Sequence, residues 1–466
     1  MSRPNIVWVT LESTRADHTS LHDYHRDTTP FLQSLADADG GRAFDRCFAH
    51  GIWTLSSSAS ILTGTVPGHH DAGMGSDAIP ASMPTAAERF GDAGYDTACF
   101  STNSHVSEGS DLDRGFDRFA WLHSSTLRDV AGPRTLLKYA LNIRRHSAGF
   151  TTDPAKHSTG YLVTDVVKRW LRDMGQQSDP QFLYVHYGDP HHPYYPPLAW
   201  RDRYTDEVPV DPSAAAALAL DQSKNLNQHV AQGCPFTDRE WGALEALYDA
   251  EIAYTDHLVA SLFEAAQTHL GDTIFVVTAD HGELFGEQGM LAHKVVVDDA
   301  VSHVPLVVHG SDALAAYDGP LVQHADVMRT LLEEADADTE GVQGLDLTET
   351  ERTNAYVQRG GERARRNLDE FCEHNPDFDR GRYHEGTMTA LRTADHKLVV
   401  GDDTQLFVPP DETTDVGDGQ PEVRDRLAAT LSSWADAHAQ PYTTEQREGS
   451  YTPAMRSQLA DMGYLE

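Results

Sequence analysis

Residues 273–279, TIFVVTA, form an unbroken run of apolar and β-branched residues that stops at an acid and an imidazole, Asp280 and His281. A run of this length and composition is a strand buried on both faces. The same pattern occurs at Asn5–Leu11, which runs into ESTRADH, and at QFLYVHY (181–187), which runs into GDPHH. Shorter strands are expected at YDTACFS (95–101) and VPLVVHG (304–310). Helical patterns lie between them: TTPFLQSLADADG (28–40), with a threonine cap and a glycine stop, then 84–94, 237–268 and 325–335. This alternation predicts an α/β fold with a mostly parallel central sheet flanked by helices. Sheets of this class build their sites just past the carboxyl ends of the strands. The polar groups that end these strands are therefore where chemistry is expected.

After Glu340 the texture changes. Residues 353–383 read as polar and irregular, MTALRTADHKLVV (388–400) and DTQLFVPP (403–410) alternate like a small antiparallel unit, and 422–439 reads as a terminal helix. The expected division is a catalytic domain over 1–345, with a candidate lid insertion at 126–160, and a C-terminal α+β subdomain over 346–466.

Charge narrows the classes of function. Across 466 residues there are 72 acidic side chains and 36 basic ones, a net charge of −36, and six of the basic residues are lysines. The acids are spread along the whole chain. A dispersed acidic surface poor in lysine is the pattern of a protein that stays soluble in high salt, a halophile's protein. Such a field excludes nucleic acid as the expected partner. It also repels anions, so any anion site needs local positive charge. The stretch TLRDVAGPRTLLKYALNIRRH (126–146) is a basic island, with Arg128, Arg134, Lys138, Arg144 and Arg145. It reads either as a surface helix with local salt bridges or as a docking patch for an anionic polymer or lipid head group. Cys47, Cys99, Cys234 and Cys372 are far apart and read as reduced thiols. The N-terminus enters a strand pattern at once and no window is apolar enough to span a membrane, so the expected location is the cytoplasm.

Three places carry residues of metal-ligand type: Glu12 after the first strand, the pair Asp280 and His281, and the hydroxyl run that begins at Thr54 in WTLSSSASILTG (53–64). Carboxylates and imidazole suit Zn²⁺ or Mn²⁺. A divalent cation lowers the pKa of a coordinated hydroxyl and makes it a nucleophile near neutral pH. Each group also has a plain structural reading. Thr54 reads equally as an N-cap, Glu12 as a loop acid, and Asp280-His281 as a solvated turn.

Taken in chain order, these stretches resemble the sulfatase family of the alkaline phosphatase superfamily. The similar segments are PNIVWVTLESTRADH, TTPFLQSLA, WTLSSSASILTGTVPGHHD, LDRGFDRF, YVHYGDPHHPY, LYDAEIAYTDHLVASL, TADHGELFGEQGMLAHK and LRTADHKLV. They run from residue 4 to about 410. The resemblance implies an alkaline-phosphatase-like sheet. It implies Glu12, Thr54, Asp280 and His281 as ligands of one divalent cation, Mn²⁺ first, with Zn²⁺, Ca²⁺ or Mg²⁺ as alternatives. Thr54 would also be the nucleophile, and His191, His293 and Lys294 would meet the anionic oxygens or protonate the leaving group. His191 has a neighbour, His192, that fits the motif as well. Tyr248, Asp249 and Asp256 would be packing or capping groups.

The departures from the family pattern are chemical. Sulfatases proper carry Cys or Ser in a Cys/Ser-x-Pro-x-Arg signature, for conversion to formylglycine. Here Thr54-Leu55-Ser56-Ser57-Ser58 stands in its place. Threonine has no oxidisable primary Cβ. The first metal acid is Glu12, and Ser13 replaces a second acid. Glu and Thr together resemble the phosphoglycerol transferase branch. The expected substrate is an anionic ester of a sugar, glycan or lipid head group. Phosphodiester or phosphoglycerol-type chemistry is favoured over sulfuric ester hydrolysis, and a non-catalytic metal-binding homologue is the alternative of another class.

Overall fold

Seven strands make the central sheet of the computed structural model, which describes residues 3–151 and 153–464. In chain order they are β1 (Asn5–Leu11), β2 (Gly41–Ala43), β3 (Asp96–Ser101), β4 (Arg118–Trp121), β5 (Gln181–Tyr187), β6 (Thr273–Ala279) and β7 (Leu306–His309). Their order across the sheet is β2-β7-β6-β1-β5-β3-β4. The five strands from β6 to β4 are parallel, while β7 runs antiparallel to β6 and to β2.

Side chains of β1 alternate between two cores. Ile6 and Trp8 join one apolar cluster, and Val7, Val9 and Leu11 the other. Helices cover both faces because neither face can be left to water. One face packs against α2 (Thr54–Thr63) through Leu55, Ala59 and Leu62. The other packs against α1 (Pro30–Ala36), α4 (Gly160–Met174) and α5 (Asp238–His269). Between β4 and α4 runs α3 (Leu127–Leu141), broken at Gly132, where the backbone turns to φ 72°. This is the basic segment of the sequence, and its Lys138 is paired with Asp165 at 2.5 Å.

Helix α1 corrects one detail of the sequence reading. Thr29 precedes it but makes no capping bond with its side chain. The cap comes instead from α5, where the Asp256 carboxylate accepts hydrogen bonds from the backbone N–H groups of Phe31 (2.9 Å) and Leu32 (3.0 Å). That places Asp256 in the structural role expected of it. Tyr248 and Asp249 also tie elements together. The Tyr248 hydroxyl donates to the Ser13 carbonyl at 2.6 Å, and Asp249 accepts from Arg26 (2.5 Å) and lies 2.7 Å from His18 Nδ1.

The C-terminal part holds a four-stranded antiparallel sheet, β8 (Ala355–Arg359), β9 (Met388–Arg392), β10 (Lys397–Val400) and β11 (Thr404–Phe407). Residues 353–383, read from sequence as irregular, carry β8 and the helix α6 (Gly361–His374). The helix was hidden because its inward stripe is only Ala364, Leu368 and Phe371, set among charges. Helix α7 (Pro421–His438) is followed by α8 (Pro453–Asp461), so it is not the terminal one. The main core continues across the expected boundary. Val357, Leu368, Phe371, Ala390 and Leu459 join the same cluster as Trp8 and Leu55.

A buried ion triad also ties the two parts. Lys397 is fully buried, with Nζ 2.9 Å from Asp299 and 2.6 Å from Glu412. Removing the ammonium would strand the Glu412 carboxylate in the interior and leave Asp299 with Arg392 alone, at 3.0 Å. Lys397→Met is expected to cost about 3–5 kcal/mol of stability, read as a lowered urea midpoint at unchanged slope. A loss below about 1 kcal/mol would show that the triad is solvated.

Candidate active site

Register brings the strand ends together. Leu11 pairs with Ala279 on one side and with Tyr187 on the other, and Ser101 of β3 pairs with His186. Glu12, Asp280 and the loop after Tyr187 therefore leave the sheet side by side. Helix α2 begins beneath them. Trp53 is its N-cap residue and Thr54 its first residue, and no side chain caps it. The capping alternative for Thr54 is thereby removed.

The Thr54 Oγ1 atom lies 3.2 Å from Glu12 Oε1, 3.2 Å from His281 Nε2 and 2.8 Å from the hydroxyl of Tyr464. Glu12 Oε1 also accepts from Asn103 Nδ2 at 2.6 Å and from Tyr464 at 3.2 Å. Asp280 Oδ1 accepts from the backbone N–H of Ser13 (3.2 Å) and of His281 (3.0 Å). The His281 Nδ1–H donates to the Gly282 carbonyl at 2.8 Å, which turns the Nε2 lone pair toward Thr54. His186 Nε2 sits 3.5 Å from Glu12 Oε2 and 4.0 Å from Asp280 Oδ2. These three atoms, Glu12 Oε2, Asp280 Oδ2 and His186 Nε2, are buried and have no hydrogen-bond partner.

Buried polar atoms are almost always paired, so this concentration of orphans marks the place. Burial pushes the Glu12 carboxyl up to about 8, and neighbouring Asp280 adds to the rise. Burial raises Asp280 as well. It pushes His281 down to about 3 and lowers His186 and His191, so the imidazoles here are neutral.

The remaining expected residues, His191, His293 and Lys294, line a cavity of about 1280 Å³ whose wall also includes Tyr464. His191 Nε2 lies 3.4 Å from the Tyr464 hydroxyl and 4.0 Å from Glu12 Oε1. His192 instead bonds Ser223 at 2.9 Å, and this separates the two histidines that the motif could not. The His293 ring centroid lies 4.6 Å from that of His281 and 5.2 Å from that of His191. Lys294 Nζ donates to Asn227 (2.9 Å) and Asn367 (3.3 Å) on the cavity wall. All seven residues singled out in the sequence thus meet at one end of the sheet. Ser56 bonds back to the Trp53 carbonyl at 3.2 Å, while Ser57 and Ser58 are buried without partners.

Five residues at the site escaped the sequence reading: Asn103, His186, Glu283, Arg363 and Tyr464. Asn103 follows a strand end, and His186 lies inside the strand run QFLYVHY, so the rule used for Glu12 reached only their neighbourhood. Glu283 is buried with both carboxylate oxygens unpaired, and burial holds its pKa well above the ordinary value. Arg363 and Tyr464 come from the C-terminal part, where no local pattern signals a site.

A family model for sulfatases matches residues 4–337. The chain belongs to the sulfatase family. It is 23% identical over 383 residues to an arylsulfatase of Clostridium perfringens, covering 74% of this chain and 78% of that protein. It is 21% identical over 352 residues to the uncharacterized sulfatase YidJ of Escherichia coli, covering 72% and 68%. Among solved structures it is similar to a phosphonate monoester hydrolase of Agrobacterium radiobacter, with TM-score 0.68 and 19% identity over 94% of this chain and 96% of that one. It is also similar to a 2-O glycosaminoglycan sulfatase, with TM-score 0.65 and 13% identity over 97% and 96%. The chain is a sulfatase-family hydrolase with that fold. No helix among the described residues is long and apolar enough to cross a membrane.

Because the Thr54 hydroxyl caps no backbone group, Thr54→Ala is expected to change stability by less than the ~1 kcal/mol typical of a lost cap. Chemical denaturation at neutral pH measures it. A larger loss would return Thr54 to a structural role.

Proposed function

We propose that this sulfatase-family chain cleaves a phosphorus ester, a phosphodiester or a phosphonate monoester, by nucleophilic attack of Thr54 with one divalent cation bound. The observation that carries the reading is the Thr54 hydroxyl itself. It sits within 3.2 Å of both Glu12 Oε1 and His281 Nε2, at the position where the family's sulfate-cleaving members need an oxidisable Cys or Ser.

The donor set fits a cation by its chemistry. Two buried carboxylates stand beside neutral imidazoles, with Glu12 Oε2, Asp280 Oδ2 and His186 Nε2 unpaired. Among the described residues no three His, Cys, Asp or Glu side chains already form a closed cage, so binding would draw these atoms inward. Glu12, Thr54, Asp280 and His281 would hold the ion, with His186 in reach. Mn²⁺ suits this mixed oxygen and nitrogen set, with Zn²⁺, Ca²⁺ or Mg²⁺ as alternatives. The bound ion supplies a lowered pKa for the nucleophilic hydroxyl.

The chain's own residues do the rest. Thr54 Oγ1 gives up its proton to solvent and forms the new bond to phosphorus as the bond to the leaving oxygen breaks. The Lys294 ammonium faces the cavity and donates a proton to that oxygen. His191 holds its Nδ1–H on the His192 carbonyl at 2.8 Å, so Nε2 is an acceptor. It takes a proton from the water, or from the acceptor alcohol in a transfer, that releases phosphothreonine. A sulfothreonine would lack an easy release by attack at sulfur. That is why phosphorus is favoured over sulfur.

Sulfuric ester hydrolysis is the second reading, supported by the similarity to an arylsulfatase. The acidic, lysine-poor surface further supports a salt-adapted protein, whose net charge of −36 is tolerable when screened.

With Mn²⁺ added, the purified chain is expected to turn over a phosphonate monoester or phosphodiester faster than an aryl sulfate, and Thr54→Ala to lose turnover by at least about 10³-fold. Faster release from the aryl sulfate would overturn the phosphorus reading, and a retained rate in the variant would overturn the nucleophile. Cation binding should also be linked to pH. With its pKa near 8, the Glu12 carboxyl carries its proton at pH 7 when no ion is bound, and ligation requires that proton to leave. Calorimetry in buffers of different ionisation enthalpy is expected to show proton release at pH 7 and affinity rising toward pH 8. Binding without released protons would show that the Glu12 carboxyl is already ionised when no ion is bound.

A further inference from the structure

The family signature places an arginine four residues after its nucleophile, and this chain has Ser58 there. Yet a guanidinium does reach the site, from helix α6. Arg363 lies 3.9 Å above the Trp53 ring, the residue that caps the nucleophile helix, and 5.0 Å from the Tyr464 ring. Its NH1 and NH2 atoms are buried and have no hydrogen-bond partner. A buried guanidinium normally spends its five donors on carboxylates or carbonyls, as Arg352 does on Asp326 and the Asn354 carbonyl in this same chain. Arg363 instead keeps two nitrogens unspent against Trp53, the residue before the nucleophile, in a protein that otherwise repels anions. Burial pushes its pKa down to about 10, which still leaves it charged at neutral pH.

Tyr464 supplies the second observation. Its hydroxyl is 2.8 Å from Thr54 Oγ1, 3.2 Å from Glu12 Oε1 and 3.4 Å from His191 Nε2. The phosphorus attacked by Thr54 carries oxygens that have to lie in that space, between the nucleophile and the residues that handle protons. The phenol ring is held among Trp53, His105, His191 and His293, with centroids 4.8–5.8 Å apart.

We propose that the C-terminal part builds the oxyanion cradle of this site: Arg363 binds the non-reacting oxygens of the substrate's tetrahedral anionic group, and the Tyr464 hydroxyl holds an oxygen position in the resting chain and yields it to substrate. The planar fork of the guanidinium matches two such oxygens at once. The proposal rests on the anionic-ester reading above and extends it to the residues that recognise the anion.

Orthovanadate, a tetrahedral oxyanion, is the probe. It is titrated calorimetrically into the full-length, Mn²⁺-loaded protein and into three variants. Arg363→Gln is expected to weaken vanadate about 10- to 100-fold, with Mn²⁺ affinity unchanged because no proposed ligand is touched. Arg363→Lys, which keeps the charge but not the fork, is expected to lie between and guards against a folding defect. Tyr464→Phe keeps the ring and removes the competing hydroxyl, and is expected to tighten vanadate by about 2- to 10-fold. Vanadate affinity unchanged in both arginine variants overturns the role of Arg363. Weaker vanadate binding by Tyr464→Phe overturns the displacement of its hydroxyl and makes the phenol a direct anion donor. A wild-type protein that binds Mn²⁺ but not vanadate overturns the anionic-ester reading as well, and so separates that failure from a failure of the cradle alone.

Discussion

Two carboxylates, Glu12 and Asp280, are buried side by side at the ends of adjacent parallel strands, with neutral imidazoles around them. Placing like charges together in the interior is costly unless protons or a cation offset them. The rest of the site is organised around that constraint. Backbone N–H groups of Ser13 and His281 satisfy one oxygen of Asp280, and Asn103 satisfies one of Glu12. The other oxygen of each carboxylate is left without a partner, facing His186. The sheet is the device that imposes this arrangement. Its register fixes how close the two acids lie, and seven buried residues in each of β5 and β6 fix the register.

The proposed nucleophile and the proposed anion-binding groups come from elements that have little to do with the sheet's own pattern. Helix α2 presents Thr54 because its N-cap, Trp53, uses only backbone, leaving the threonine hydroxyl to face Glu12 and His281. Helix α6 and the tail beyond α8 then close the opposite side with Arg363 and Tyr464. The cavity wall is consequently mixed. Its catalytic floor belongs to the α/β part, while Arg366, Asn367, Glu370 and Met462 to Tyr464 line it from the C-terminal part.

The electrostatic design is uneven. The surface carries a large excess of negative charge, which works against an anionic substrate at a distance. Inside the cavity Lys224, Lys294 and Arg366 stand among the acids Asp153, Asp189, Glu251, Glu370 and Asp461, with the Arg363 guanidinium outside the lining, against Trp53. Screening by salt weakens the long-range repulsion and leaves the short, buried contacts almost untouched.

The strands were legible because each is a continuous apolar run that ends in charge. That rule pointed to Glu12 and to Asp280-His281, the crowded hydroxyl run pointed to Thr54, and resemblance to the sulfatases added His191, His293 and Lys294. The basic island 126–146 was seen as a feature, and the structure shows its helix and its Lys138–Asp165 pair. Helix α6 was not legible, since three apolar residues among charges give little periodic signal. By itself the sequence determined the α/β architecture, the acidic character and the chemical kinds of group at the strand ends, because periodicity and residue type are local properties. Only the tertiary structure decided which histidine of the 191–192 pair lies by Glu12 and Tyr464. It alone decided that His186 and Asn103 share the carboxylates, and that a guanidinium and a phenol far along the chain complete the site. Those contacts join residues up to 452 positions apart, as Glu12 and Tyr464 are, and no pattern along a chain encodes a distance that only packing creates.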